Sequence, residues 1–274
     1  MEDLGKTKKL LHPCFDREHS KTHGRVHLPV APGCNVQCNY CNRNYDCVNE
    51  SRPGVTSTLL SPGQALRYFD AMSAKAPISV AGIAGPGDPF CDPQPTLKTL
   101  RLINEKHPHR ILCVSSNGLN LLSSIPDLVE LGVTHVTITI NAVDPAIGAK
   151  IYSWIRAGKR VFHGIEGATM LLENQLASLD SLVRHGIKTK INTIVIPGIN
   201  DHHIEDVARE ASRRGAAFHN CIPMIPVSGT PFEDITEPDH NLMSGIKAAC
   251  ENHLPQMKHC QRCRADAAGL LHEK

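Results

Sequence analysis

Aromatic side chains are scarce: Phe, Trp and Tyr together make up 4% of the 274 residues, with a single Trp. The core must therefore be built mainly from Ile, Val, Leu and Ala. No apolar run approaches the roughly 20 residues that a helix needs to cross a bilayer. The stretch from Met1 to Phe15 carries charges but no apolar region of the signal-peptide kind, so no secretory leader is expected. An excess of one charge is lacking too, with 29 Lys and Arg against 27 Asp and Glu, a net +2. Such a balance gives no electrostatic case for nucleic acid or an anionic membrane as partner. Low-complexity tracts, solenoid-period repeats and long linkers are also missing. The expected address is the cytoplasm, and the expected form is a monomer.

Cysteine and histidine are what the sequence has in excess, at 11 and 16 residues. In a reducing compartment such cysteines bind metal or do redox chemistry more readily than they form disulfides. The odd cysteine total also argues against a closed disulfide framework.

Short apolar, β-branched runs near 25–31, 77–84, 110–116, 134–141, 188–196 and 218–225 read as strands. Helix-patterned stretches near 61–74, 95–107, 121–131, 145–157, 167–186 and 201–214 separate them. This alternation is the pattern of βαβ units and a parallel sheet. Six such repeats predict an α/β fold, a partial (β/α)6 TIM-like barrel open on one side. A doubly wound sheet stays open as the alternative, because strand order is not written in the sequence. Ser61 before Pro62 marks one helix start, and Asp201 after Pro197, Gly198 and Asn200 marks another. One domain is expected over 1–274. Its core is 25–226, and Cys/His-rich extensions occupy 1–24 and 227–274.

Just after the first strand stand Cys34, Cys38 and Cys41, with Tyr40 before the last. Three thiolates at i, i+4 and i+7 in a loop can hold three corners of a cubane and leave the fourth iron without a protein ligand. Iron–sulfur clusters normally take four Cys, so an open iron has room for a substrate or cofactor. A zinc knot is the alternative, but such knots use paired C-x2-C or Cys/His spacings. The second strand ends in Ala84-Gly85-Pro86-Gly87-Asp88-Pro89. Its glycines let backbone approach a ligand closely, and its carbonyls or carboxylate can accept from an ammonium group. Alone it is a turn; at the end of a parallel strand it is where such sheets bind ligands. Ser116-Asn117 and Asn141 end strands three and four in the same layer, where loop capping is the plainer role of each.

The C-x3-C-x-aromatic-C spacing resembles the radical S-adenosylmethionine (SAM) superfamily. That resemblance implies a [4Fe–4S] cluster on Cys34, Cys38 and Cys41, with SAM chelating the unique iron and Tyr40 beside its adenine. One electron would then cleave SAM to methionine and a 5′-deoxyadenosyl radical. The segment around Gly85, Gly87 and Asp88 is similar to the family's GGEP element for the SAM amino group, with Asp88 in place of the usual Glu. Asn117 and Asn141 join it as candidates for the SAM carboxylate or ribose.

Further pieces resemble one branch, the NifB family of nitrogenase-cofactor maturases, over nearly the whole chain. They are His12-Pro13-Cys14-Phe15, His27, Cys47, Cys113, Asn141 through Pro145, His163 through Gly167, Ile196 through Asn200, and Cys260-Gln261-Arg262-Cys263. The resemblance implies fusion of two [4Fe–4S] substrate clusters, K1 and K2, into an [8Fe–9S–C] precursor. SAM would act twice, as methyl donor for the carbide and as radical source, and a ninth sulfur would come from elsewhere. It places Ile196 among the SAM-binding residues. An iron–sulfur donor, an electron donor and a nitrogenase-cofactor carrier are the implied partners. Ending soon after Cys263, the sequence looks like the form without a C-terminal carrier-like domain.

Substrate clusters must be held and then released. Imidazole leaves iron more easily than thiolate, so His27 is the expected His ligand, with Cys14 and Cys113 as its partners; a core His bonded to backbone is the plain alternative. Cys260 and Cys263, with Cys47, are expected to hold the other cluster. Their C-x2-C is also half a zinc site, although no second pair completes one. Should His27 not ligate, His12, His23 and His163 come next. Glu166, between glycines, is a candidate proton acceptor, with an ordinary solvated Glu as the plainer reading. Cys91, Cys221 and Cys250 read as simple buried thiols. Two rival functions remain: a radical SAM enzyme with auxiliary clusters acting on a small molecule, and a non-catalytic iron–sulfur carrier.

Overall fold

The protein was analysed as a computed structural model that describes residues 12–260 and 262–271. The start of the N-terminal extension and Gln261, inside the Cys260–Cys263 spacing, lie outside the described residues.

In chain order the strands are β1 (Gly24–His27), β2 (Val36–Cys38), β3 (Ile78–Ile83), β4 (Ile111–Ser116), β5 (His135–Thr139), β6 (Tyr152–Ala157), β7 (Arg160–Phe162), β8 (Lys188–Val195), β9 (Phe218–Pro223) and β10 (Ala268–Gly269). The helices are α1 (Pro62–Ser73), α2 (Pro93–Lys106), α3 (Ile125–Glu130), α4 (Pro145–Ile151), α5 (Gly164–Arg184), α6 (Ile204–Arg213) and α7 (His240–Glu251). The main sheet runs β10-β1-β3-β4-β5-β8-β9, parallel except for the short antiparallel β10. Its six parallel strands are neighbours in the order in which they occur along the chain. A doubly wound sheet reverses direction from its first strand, so sequential order settles the architecture as a curled, open (β/α)6 half-barrel.

Both faces of the central strands are covered. Every residue of β3 and β5 is buried, as expected of a parallel sheet with helices outside and a filled lumen inside. The outer core joins Val26, Ile78, Leu112, Val136 and Ile191 of the sheet to Phe69, Leu100, Leu128 and Leu182 of the helices. A second core lies at the mouth of the barrel, where Val36, Cys38 and Tyr40 pack against Ile151, Ile155, Ile194 and Ile196.

Local signals placed most helix starts. The Ser61 side chain accepts from Gln64 N, and the Gln64 side chain accepts from Ser61 N, a capping box with Pro62 in the first turn. Asp201 instead opens a 3-10 turn, and α6 begins after it at Ile204. The helix expected over 145–157 stops at Ile151. Tyr152–Ala157 is extended because it pairs antiparallel with β2, placing Cys38 opposite Tyr152. A helix pattern was visible there, but a long-range strand pairing overrides it. The cysteine loop is thereby fastened to the β6–β7 hairpin.

A second fastening holds the Gly/Pro loop after β3. Gly87 N donates to Ala31 O at 2.5 Å, Asp88 N to Gly33 O at 2.7 Å, and Cys47 N to Pro86 O at 2.8 Å. A Cβ on Gly87 would fall against the Gly33 carbonyl, so only glycine permits this approach. Gly87→Ala is therefore expected to destabilise the metal-free protein by about 1–3 kcal/mol, as overpacking does. Urea denaturation under anaerobic conditions measures it, and an unchanged midpoint would show that the loop is not strapped in this way.

Candidate active site

The loop after β1 and the C-terminal ends of β3, β4 and β5 enclose a first cavity of about 460 Å3, lined by Cys34, Cys38, Cys41, Tyr40, Arg43 and Cys47 on one side. Gly87, Asp88, Ser116, Asn117 and Thr139 line the other. This is the end of a parallel barrel where ligands bind. Burial pushes Cys34 up to about 12, and Asp88 adds to the effect. Burial likewise raises Cys38 and Cys47 well above the ordinary thiol range, with Cys41 adding to both. Burial also raises Cys41, although Arg43 opposes it by charge and a hydrogen bond.

Left to themselves these thiols stay protonated, because a buried thiolate needs a cation beside it. A metal cluster supplies that charge and deprotonates them. Arg43 donates from Nη2 to Pro32 O, while its buried Nη1 has no partner among the described residues. A partnerless guanidinium nitrogen beside three converging thiols suits a group that brings its own acceptors, as cluster sulfides do. The residues thus fit a [4Fe–4S] cluster with one iron left open.

The expected SAM-binding residues divide by position. Asn117 reaches Cys34 Sγ at 3.7 Å and Asn35 Oδ1 at 2.8 Å. Asp88 is buried, which raises its pKa, and accepts from Asn117 N, Phe90 N and Ser116 Oγ. It thereby ties the β3 loop to the β4 loop. Tyr40 lines the cavity while its hydroxyl donates to Asn49 Oδ1 and accepts from Asn141 Nδ2. Asn141 and Ile196 lie behind this wall: Asn141 also accepts from Ile194 N, and Ile196 packs in the same core as Tyr40. Gly85, with φ of 139°, shapes the strapped loop.

A second cavity of about 600 Å3 fills the lumen. Its walls come from alternate inward positions of the strands: Val80 and Gly82, Cys113 and Ser115, with His27, Thr137 and Lys190. The two extensions close it, the N-terminal one with His12, Cys14 and Phe15, the C-terminal one with Met257, Cys260, Cys263 and Leu271. Glu50 and Ser115 line both cavities, which meet there. The structure thus brings together Cys14, His27, Cys113, Cys260 and Cys263, and places Cys47 with the triplet instead of with Cys260 and Cys263. Glu166 lies exposed on the first turn of α5 and lines neither cavity.

The two histidines of the lumen are held in opposite tautomers. His27 Nδ1 lies 3.0 Å from Arg264 O, and since a carbonyl only accepts, Nδ1 carries the proton and the Nε2 lone pair is free for a metal. Space for the ring exists because β3 has Gly82 there; a Cβ would meet His27 Cδ2 at 3.0 Å. Burial, then Arg25, lower the His27 pKa to about 4, so the ring is neutral. His12 Nδ1 instead accepts from Cys14 N at 3.0 Å, so its buried Nε2 carries the proton and has no partner among the described residues. His12 offers the lumen a donor, where His27 offers a ligand. His23 stacks on His19 at 4.0 Å, and His163 bonds Ser153 O, both outside the cavities.

Burial raises Cys14, and lifts Cys113 to about 12. Arg25 Nη2 donates to Cys263 Sγ at 3.0 Å. Burial would lower Lys190, yet Glu50 with Cys14, Cys260 and Cys113 raises it overall. Glu50 is raised by burial against the pull of Lys190, and accepts from Asn192 Nδ2 at 2.6 Å. Sequence reasoning passed over Glu50, Lys190 and Arg43. Lys190 alternating with Thr189 and Ile191 in the middle of a strand was the one available signal, since a lysine is buried there only when paired.

Burial carries a pH signature too. His135, at the base of the lumen, has its pKa lowered from 6.5 to about 4 by burial and by Lys188. In that window the unfolded chain binds more protons than the folded one, so stability rises with pH and is lost as pH falls from 6.5 toward 4. His135→Gln should flatten the slope by at most about 1.4 kcal/mol per pH unit. Urea denaturation of the metal-free protein at stepped pH tests this, and a variant slope equal to wild type would contradict it.

Comparison with known proteins agrees with this geometry. NifB of Chlorobaculum tepidum, described as an FeMo cofactor biosynthesis protein, is 53% identical over 263 residues, covering 96% of this chain and 62% of the relative. NifB of Rhodobacter capsulatus is 49% identical over 267 residues, covering 96% and 59%. The chain therefore spans less than two thirds of the length of these relatives. Among solved structures, HydG, the FeFe-hydrogenase maturase of Carboxydothermus hydrogenoformans, superposes with a TM-score of 0.62 at 14% identity, over 85% of this chain and 52% of that one. SuiB of Streptococcus suis, solved with S-adenosylmethionine, gives 0.61 at 12% identity over 85% and 50%. These likenesses establish the fold. The radical SAM superfamily model matches residues 28–211, more than half of the sequence, and with the cysteine triplet at the mouth of an open (β/α)6 barrel the chain belongs to the radical SAM superfamily.

Proposed function

We propose that this chain acts in FeMo cofactor biosynthesis as a carbide-inserting maturase. In this reading it joins two [4Fe–4S] substrate clusters, with a SAM-derived carbon and one further sulfur, into an [8Fe–9S–C] precursor. The observation that carries the reading is the pair of adjoining cavities, one with the C-x3-C-x2-C triplet and one with four further cysteines and a ligand-ready His27. A small organic substrate gives no use for four cysteines and a metal-ready imidazole in one lumen, whereas these soft donors suit iron. The NifB relatives support the same reading.

When bound, the resident cluster and SAM supply an electron, a methyl group and a 5′-deoxyadenosyl group. The protein's part follows from its own residues. Cys34, Cys38 and Cys41 hold the cluster and leave one iron to SAM, and Asn117 and the strapped Gly85–Asp88 loop wall the space beside it. Cys14, Cys113 and the neutral His27 hold one substrate cluster, with Lys190 and Arg25 balancing thiolate charge. Cys260 and Cys263 face the same lumen from the C-terminal arm and hold the second. Cys47, on the first-cavity side, would reach that cluster only across the junction at Glu50 and Ser115. Glu50 stands at this junction as a carboxyl that can hold a proton at Oε2 and exchange it with either side, the task sought at Glu166. Delivery of substrate clusters and electrons, and removal of the product, fall to donor and carrier proteins.

Incubation of the reduced, cluster-loaded protein with SAM tests the reading. It should give both 5′-deoxyadenosine and S-adenosylhomocysteine; the first alone would favour a small-molecule enzyme, and neither would favour a carrier. Cys38→Ala should abolish both products, because a cubane on two thiolates is poorly held. Cys260→Ser with Cys263→Ser should lose about one cubane of iron while the triplet cluster keeps its spectrum.

A further inference from the structure

Outside both cavities, between the sheet and its outer helices, His219 and Cys221 of β9 meet Cys250 near the end of α7. All three are buried, with exposures of 0%, 2% and 0%. One donor atom from each lies within 4.8 Å of the other two. The sequence had marked both cysteines as plain buried thiols, because nothing in the spacing relates residue 221 to residue 250. The fold does so through α7 packing on the last strand of the sheet.

The histidine is prepared as a ligand. Thr193 Oγ1 gives its proton to Ile140 O at 2.6 Å, so toward His219 Nε2, 2.9 Å away, it can only accept. Nε2 therefore carries the proton, and the Nδ1 lone pair faces the sulfurs, 3.8 Å from Cys221 Sγ. This is the orientation by which an outer hydrogen bond fixes a metal-binding imidazole. Gln256 stands beside them, with Oε1 3.4 Å from Cys221 Sγ and Nε2 donating at 3.3 Å to His219 Nδ1, a bond that an arriving ion would displace. Around a tetrahedral ion with metal–sulfur bonds of about 2.3 Å and metal–nitrogen bonds of about 2.0 Å, donors stand roughly 3.5–3.8 Å apart. From separations of up to 4.8 Å the side chains need to contract by about 1 Å or less.

Charge selects the ion. Two thiolates and a neutral imidazole around a divalent cation sum to zero, which a dry interior tolerates. A monovalent ion would leave a buried negative charge and a trivalent ion a positive one, each costly. Sulfur and imidazole donors disfavour magnesium and calcium. Cys221 also borders an open cleft lined by Asn220, Pro223 and Cys260.

We propose that His219, Cys221 and Cys250, with Gln256 as fourth donor, form a structural site for one divalent thiophilic cation of the zinc class. Its consequence is positional. His219 N donates to Pro255 O and Met257 N donates to His219 O, so the 255–257 segment already pairs along the sheet edge. The bound ion locks α7 and this segment onto β9, three residues before Cys260 enters the lumen. It thus fixes the root of the arm that carries Cys260 and Cys263.

The test is the metal content of the cluster-loaded protein, purified anaerobically and passed through a mild chelator. About one zinc per chain should remain, with an X-ray absorption shell of two sulfurs and two light donors. His219→Ala and Cys250→Ser should each lose it while the triplet cluster keeps its spectrum, whereas Cys91→Ser should retain it. Thr193→Val, which leaves all the ligands in place, should weaken zinc binding roughly 10–100-fold. Zinc content equal in wild type and both ligand variants would overturn the proposal, and so would a mass 2 Da low from a Cys221–Cys250 disulfide. None of these readouts depends on SAM chemistry.

Discussion

A thiolate buried without a cation is the costliest state open to this chain, and the interior is organised around avoiding it. Burial raises Cys14, Cys34, Cys38, Cys47 and Cys113, so each waits as a neutral thiol until a metal arrives. The fixed cations stand where the sulfurs converge: Arg43 at the mouth, Lys190 and Arg25 in the lumen. Metal binding and final ordering of the site are therefore coupled. The parts that need no metal are the seven-stranded sheet and the strapped Gly85–Asp88 loop. The sulfur-bearing parts are loops and arms brought to that frame.

The half-barrel also explains why two chemistries can adjoin. Sequential strand order gives one lumen and one mouth. Groups at strand ends, such as Asn117, face the mouth, and groups a full four positions earlier, such as Cys113, face the lumen. Ser115 lies between them on β4, and Glu50 meets it from the loop after the cysteine triplet. Two cavities a residue apart are a direct result of β4 periodicity, in which alternate residues point inward. The extensions then plug what the sixfold barrel leaves open.

Much of this was legible in the sequence because it is local. The six parallel strands announced themselves as β-branched runs, and the triplet and the Gly/Pro turn as spacings. Ser61 declared a helix start. What was missed depends on distant contacts. Tyr152–Ala157 is a strand only because β2 lies beside it, and α7 was passed over within the C-terminal extension. Cys47 was grouped with Cys260 and Cys263, and the fold puts it in the lining of the first cavity. Glu166 looked poised because glycines flank it, yet its helix turn faces solvent, and the carboxyl at the junction is Glu50. Cys221 and Cys250 looked inert because their pairing with His219 exists only in three dimensions.

The central claim is that His27 presents a neutral Nε2 to a substrate cluster in the lumen. Pulsed electron paramagnetic resonance on the reduced protein, with histidine labelled by nitrogen-15, measures it directly. Wild type should show one strongly coupled imidazole nitrogen on a cluster other than the triplet's, and His27→Cys should keep that cluster but lose the coupling. Unchanged coupling in His27→Cys would place the nitrogen elsewhere and contradict the account.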